Sequence, residues 1–294
     1  MGALKIAVAI ATAGRRDYVT GVAKRIARQT RAPDMIAVCP ARPDDADAPA
    51  LAELGVSIAH GPMGLCAQRN ALFRHLDQAD IILFLDDDFV MASGYIENCL
   101  ALFERHPDVV MMTGAVIADG ILGPGLGFEE ADAYVERDAG PPDTAGIETV
   151  YNGYGCNMAI RMAPVRAAGL SFDENLPFYG WLEDVDFSRR LAAHGRIVRT
   201  EACRGVHMGV KRGRSPGMRL GYSQIANPVY MWRKGTLSAS RACAQMGRNI
   251  IANLSKSLRP EPWVDRGGRT RGNLLALSDL VRGRIAPQRA AELN

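Results

Sequence analysis

Five apolar residues in succession, Ile81-Ile82-Leu83-Phe84-Leu85, run directly into three carboxylates, Asp86-Asp87-Asp88. A run this short and without polar alternation predicts a strand covered on both faces, and such strands belong to parallel sheets flanked by helices. The preceding residues agree. Strands are expected at 6–10, 35–39 and 56–59, and helices are marked by Val19, Val22, Ala23 and Ile26 and by Leu65, Leu72 and Leu76. Strand alternating with helix is the pattern of βαβ units. Farther on, Ile96, Leu100 and Phe103 predict a helix that stops before Pro107, and 109–113 and 157–160 predict strands. Residues 120–127 form a glycine-rich loop without a phosphate-cradling pattern, and 128–148, acidic and broken by Pro and Gly, read as a mobile insertion. A helix at 183–194 closed by Gly195, a hairpin of 196–201 and 203–207, and basic helices after Asn227 complete the expectation.

The net charge of +3 conceals an asymmetry. Residues 1–195 hold 16 Lys and Arg against 27 Asp and Glu, whereas 196–294 hold 19 against 5. So basic an end predicts an anionic partner, either membrane lipid or a phosphorylated ligand. Aromatic residues are sparse there and no nucleic-acid module is recognisable, so no nucleic acid is expected. Ile250, Ile251, Leu254 and Leu258 fall on one side of an amphipathic helix, which suits peripheral contact with the inner face of a membrane and equally suits packing within the protein. The first apolar stretch is too short to span a bilayer, and no leader is visible. Six cysteines, Cys39, Cys66, Cys99, Cys156, Cys203 and Cys243, lack metal or redox spacing and read as reduced, mostly buried thiols of a cytoplasmic protein.

Three adjacent carboxylates at the end of a buried strand repel one another unless a cation offsets them. Ligands of open α/β sheets gather at that edge, so Mg²⁺ or Mn²⁺ bridging to a diphosphate is one reading and a solvated acidic turn the other. An EF-hand is excluded, because Val90 and Met91 stand where an oxygen ligand and the glycine are needed. A second acidic group, Glu183-Asp184-Val185-Asp186, opens a helix after Pro177-Phe178-Tyr179-Gly180-Trp181. Carboxylates there cap a helix, or supply a base for an acceptor hydroxyl. His207, 23 residues after Asp184, ends the second strand of the expected hairpin.

In order and spacing these motifs resemble the family 2 glycosyltransferases. Asp88 to Asp184 matches the distance between that family's aspartate-rich and "ED-x-D" motifs; residues 9–15, with Thr12 and Arg15, stand for its opening strand and loop; Gly64 with Arg69-Asn70 stands for its "G-x-x-x-x-RN" helix. The resemblance spans about residues 4–210. It implies an α/β GT-A fold with a mixed, mostly parallel sheet: a catalytic domain at 1–222 (nucleotide-binding half 1–90, acceptor half 91–222) and a basic helical region at 223–294. By resemblance, Asp88 and His207 hold Mn²⁺ or Mg²⁺, the histidine as in galactofuranosyltransferase-like members. Asp86 lies near the ribose and Asp87 near the donor sugar, with Thr12 and Arg15 also at the donor. Arg69 sits near the nucleotide or braces the aspartate loop. Asp184 is the base, and Tyr179, Gly180, Trp181 and Glu183 shape the acceptor site. The aspartate that usually follows the second strand is missing, leaving Asp44, Asp45 or backbone to hold the base of the nucleotide.

The implied activity is inverting transfer from a nucleotide-diphosphate sugar, UDP the expected nucleotide, to a glycan or glycolipid hydroxyl. Two other classes stay open: a sugar-phosphate nucleotidyltransferase, although residues 12–16 match its glycine-rich loop poorly, and a non-catalytic anion- or membrane-binding protein.

Overall fold

The structure, a computed structural model, describes residues 3–140 and 146–293. In chain order its elements are β1 (Ile6–Thr12), α1 (Arg16–Ile26), β2 (Met35–Pro40), α2 (Ala48–Glu53), β3 (Ser57–Ile58), α3 (Leu65–His75), β4 (Ile81–Asp86), β5 (Phe89–Met91), α4 (Tyr95–Arg105) and β6 (Val109–Asp119). There follow α5 (Phe128–Arg137), β7 (Ile147–Thr149), β8 (Asn157–Arg161), α6 (Met162–Ala167), α7 (Glu183–Leu191), β9 (Arg196–His207), α8 (Gly217–Lys234), α9 (Ala239–Lys256) and α10 (Arg266–Val281). The chain divides into two compact units, one of residues 1–63, 67–171 and 190–213, the other of 64–66, 172–189 and 214–294. This division crosses chain order, whereas the sequence suggests breaks at 90 and 222.

The first unit is built on a sheet of order β3-β2-β1-β4-β8-β6-β9-β5, with β7 also on β9. Pairing is parallel through β3, β2, β1 and β4 and again between β6 and β9. It is antiparallel where β8, β5 and β7 join. The sheet is therefore mixed, as expected, but parallel pairing prevails only in its first half. Residues 81–85 are buried throughout, and Val19, Val22, Ala23 and Ile26 form the buried face of α1. Each buried Val, Ile, Leu or Phe side chain among them contributes roughly 1.5–3 kcal/mol by leaving water.

Three expectations for the chain after Pro107 are corrected. The supposed hairpin at 196–207 is one strand, β9, whose first half runs parallel to Val109–Gly114 and whose second half, after a bulge at 201–203, runs parallel to the rest of β6. No Gly, Pro or Asn stands between Glu201 and Cys203, so the extra residues bulge instead of reversing the chain. Within 128–148 the described residues are ordered as α5 and β7. Their acidic side chains are held by arginines, Asp132 by Arg25 and Asp138 by Arg204, the latter at 2.6 Å. Residues 141–145 of that expected insertion lie outside the described residues. Finally, the C-terminal helices begin at Gly217, not after Asn227, and α8 continues through Pro228.

In the second unit α8 and α10 cross at two glycines. A Cβ on Gly221 would stand 2.1 Å from the Arg269 carbonyl oxygen, and one on Gly272 would stand 2.2 Å from that of Met218. Around this crossing lie Tyr222, Ile225, Val229 and Ala276. The fully buried Asp186 accepts hydrogen bonds from Lys234 Nζ at 2.9 Å and Thr236 Oγ1 at 2.7 Å, tying the first turn of α7 to the end of α8. Helix α9, capped by Ser238, packs Met246 and Ile250 on this core but leaves Ile251 and Leu254 exposed by 68% and 50%, as is Leu258 just beyond its end by 86%. Among the described residues no helix is long and apolar enough to cross a membrane.

Candidate functional site

The adjacent parallel strands β1 and β4, paired to their ends at Ala11 and Asp86, deliver Thr12 and the three aspartates to one edge of the sheet. The short strand β5 then pairs with β9 so that Phe89 lies opposite His207. This register sets the imidazole beside the aspartates. Ligand atoms of Asp86, Asp88 and His207 all lie within 4.8 Å of one another, with His207 Nε2 at 3.5 Å from Asp88 Oδ1 and 3.9 Å from Asp86 Oδ2.

Asp88 is almost wholly buried. Its Oδ2 accepts the Val210 N–H at 2.8 Å, while Oδ1 has no hydrogen-bond partner among the described residues. An unsatisfied buried carboxylate oxygen costs on the order of 1–3 kcal/mol or more. A divalent cation held by two carboxylates and an imidazole would satisfy it, so these residues fit such an ion. Burial opposes ionisation of Asp88, but His207 and Arg15 outweigh it and hold its pKa below the usual carboxylate range. Burial likewise opposes charge on His207, yet Asp119 and Asp88 prevail and lift its pKa to about 10. In the metal-free protein a proton on His207 thus supplies the positive charge that the cluster requires.

Asp87 points the other way. Its oxygens accept Thr12 Oγ1–H at 2.6 Å and Arg15 NH1 at 2.7 Å, and burial raises its pKa. Arg15 also donates to the carbonyls of Arg212 at 2.7 Å and Val210 at 2.9 Å. In the structure Thr12, Arg15 and Asp87, expected at the donor, clamp the aspartate loop to the segment after His207. Arg69, expected near the nucleotide or bracing the aspartate loop, donates from its NH2 to Gly155 O at 2.9 Å and stands 3.7 Å from Asp86 Oδ1. Asp86, with its side chain 33% exposed, is the aspartate open to a ligand. Asp45 accepts the Arg42 N–H of its own turn at 3.0 Å.

The second acidic motif lies in the other unit. Phe178, Gly180 and Leu182 have φ of 55°, 62° and 71°, a strained approach to α7 of the kind that clusters at functional sites. The Gly180 N–H bonds to Pro177 O at 3.0 Å, and Glu183 N–H to Gly180 O at 2.7 Å. Glu183 is buried and Asp184 half-buried in the first turn of α7, where the helix dipole favours the anion. Asp184 Oδ1 accepts the Val185 N–H at 2.8 Å. The residues just before α7 help to line a cleft formed by Phe178, Tyr179, Trp181, Arg219 and Ser223. Tyr179 is exposed, its ring 6.3 Å from that of Trp181, and the buried Trp181 Nε1 has no partner among the described residues.

Two residues of the first site were not anticipated. Asp119, at the end of β6, faces His207 Nδ1 at 3.0 Å, and Tyr154 donates to Asp119 Oδ2 at 3.2 Å. A lone acidic residue after an apolar strand carries no pattern that would have revealed it.

Residues 7–149, just under half of the chain, match glycosyl transferase family 2. No curated protein matches the chain. Among solved structures, it is similar to S. aureus TarS 1–349 in complex with UDP-GlcNAc, at 15% identity and a TM-score of 0.54 over 99% of this chain and 84% of that one. It is also similar to GalNAc-T7 with UDP, GalNAc and Mn²⁺, at 13% identity and a TM-score of 0.56 over 99% of this chain and 56% of that one. A structure of S. aureus TarS matches at 16% identity and a TM-score of 0.50; 96% of this chain is covered but only 50% of that chain, so this protein spans half its length. At such identities the likeness establishes the fold, GT-A.

Proposed function

We propose that this chain, whose residues 7–149 match glycosyl transferase family 2, moves a sugar from a UDP-sugar to an acceptor hydroxyl, inverting the anomeric centre. The observation that carries the reading is the Asp86, Asp88 and His207 cluster at the carboxyl edge of the sheet, with its unsatisfied Asp88 oxygen. Asp86, Asp88 and His207 hold the cation, and the imidazole in the set favours Mn²⁺ over Mg²⁺. When bound, such an ion neutralises charge that develops on the departing diphosphate. UDP in the similar TarS and GalNAc-T7 structures supports the nucleotide.

The chain's own residues do the rest. Thr12, Arg15 and Asp87 keep the loop at the end of β4 in place. Asp184 takes the proton of the acceptor hydroxyl as its oxygen forms a bond to the anomeric carbon, while the bond to the diphosphate oxygen breaks on the opposite face and its electrons leave with UDP. Tyr179 and Trp181 offer aromatic faces to an acceptor glycan, and Gly180 and Glu183 set the turn that presents them. A melting-temperature survey of nucleotide sugars with and without Mn²⁺ tests this, since a ligand of the folded state stabilises it. UDP-sugars should raise the melting temperature only with the metal, and no response to any nucleotide would overturn the reading.

The exposed apolar side chains on α9 and just after it support peripheral attachment to an anionic membrane, the cytoplasmic leaflet being the negatively charged one. The acceptor is then a lipid-linked or envelope glycan. Binding to anionic but not neutral vesicles, weakening with salt, is expected. Polar substitution of Ile251, Leu254 and Leu258 should abolish it. Substitution is the right instrument, because deleting residues 245–294 would strip α10 from the core of its unit.

A further inference from the structure

We infer that Asp119 is a positioning residue for the cation site, fixing the His207 ring so that Nε2, and not Nδ1, faces Asp86 and Asp88; the inference rests on the metal reading above. An imidazole has two ring nitrogens, and which one is free to ligate is set by the hydrogen bond that the other makes. His207 Nδ1 lies 3.0 Å from Asp119 Oδ1, on the side of the ring away from Asp88. Nδ1–H donates to that carboxylate, so that once a cation displaces the Nε2 proton the Nε2 lone pair is directed at the cluster. The carboxylate also makes the ring a stronger donor.

Asp119 is itself held from three sides. The Ile121 N–H bonds to its Oδ1 at 3.0 Å and the Tyr154 hydroxyl to its Oδ2 at 3.2 Å. Its backbone is fixed by the sheet: after the register shift between Val116 and Ala118, β6 and β9 pair Asp119 with His207, and the Gly120 N–H bonds to His207 O at 2.8 Å. The bulges of this ladder therefore determine that a carboxylate, and not a neighbouring alanine, meets the ring. The Asp119 side chain is 31% exposed, so the core does not depend on it. Nor is it a ligand itself, as it lies beyond the ring and outside the Asp86, Asp88 and His207 group.

The test is Mn²⁺ affinity of the full-length protein without nucleotide, read from the paramagnetic resonance of the free ion, alongside the metal-free melting temperature. Asp119→Ala should weaken Mn²⁺ binding about 10–100-fold, as loss of such an outer partner does, while melting without metal stays near wild type. Asp119→Asn, whose amide oxygen still accepts from Nδ1–H and from Ile121, should recover most of that loss. Tyr154→Phe should cost less than Asp119→Ala. Wild-type affinity in Asp119→Ala overturns the inference, and so does an Asp119→Asn protein that binds no better than the alanine variant. Failure of the unaltered protein to bind Mn²⁺ overturns the metal reading itself and the role of Asp119 with it, an outcome distinct from the other two.

Discussion

Asp184 is the residue on which transfer should turn. Asp184→Asn is nearly isosteric and keeps the turn before α7, but an amide cannot take a proton. The variant should bind UDP with Mn²⁺ as wild type does and lose on the order of a hundredfold or more in transfer rate. Transfer within a few-fold of wild type would remove Asp184 from the role of base. At this scale the sequence was informative about which residues matter and less so about which way they point. Three consecutive aspartates at a strand end are expected to project alternately if the strand continues through them, but only Asp86 belongs to β4 and the other two form the turn to β5. Alternation alone does not say that Asp86 and Asp88 turn to His207 while Asp87 turns inward to Thr12 and Arg15. That depends on β9, whose His207 comes 120 residues after Asp87 in a register no local pattern specifies.

Single elements were legible wherever their pattern was one-sided. The helical spacing of α1 and the unbroken apolar run of β4 led straight to the observed elements. The bulged strand β9 was not legible, since a pause in apolar character looks the same whether the chain turns or merely bulges. The start of α8 was hidden by its glycines, which weaken helix propensity but allow α10 to approach. That contact makes a prediction. Gly272→Ala forces a methyl group into the Met218 carbonyl and should cost about 1–3 kcal/mol, seen as a lowered melting temperature, although alanine is the better helix former. A variant as stable as wild type would show that the crossing has slack.

For the whole molecule, composition anticipated an α/β chain with a basic helical end, but not that the residues around the second acidic motif fold with that end and not with the sheet. No periodicity announces such a division, because it depends on contacts between segments far apart in sequence. Cysteine exposure gives a global check on packing. Cys39, Cys66, Cys99, Cys156 and Cys203 are buried and Cys243 is exposed, and burial pushes the Cys39 thiol up to about 11. A thiol reagent should therefore modify one cysteine rapidly in the native protein and all six after denaturation, and a second fast thiol would mean that part of the core opens. The sheet order also bears on biosynthesis. Strand β9 lies between β6 and β5, so during translation both of those strands keep an uncovered flank until residue 207 has cleared the ribosome. The nascent chain must carry open, adhesive edges, and an aspartate cluster without its histidine, for roughly 90 to 120 further residues of synthesis. A ribosome-bound chain arrested before residue 196 should accordingly be an avid client of chaperones, and one arrested well beyond 213 should be released from them.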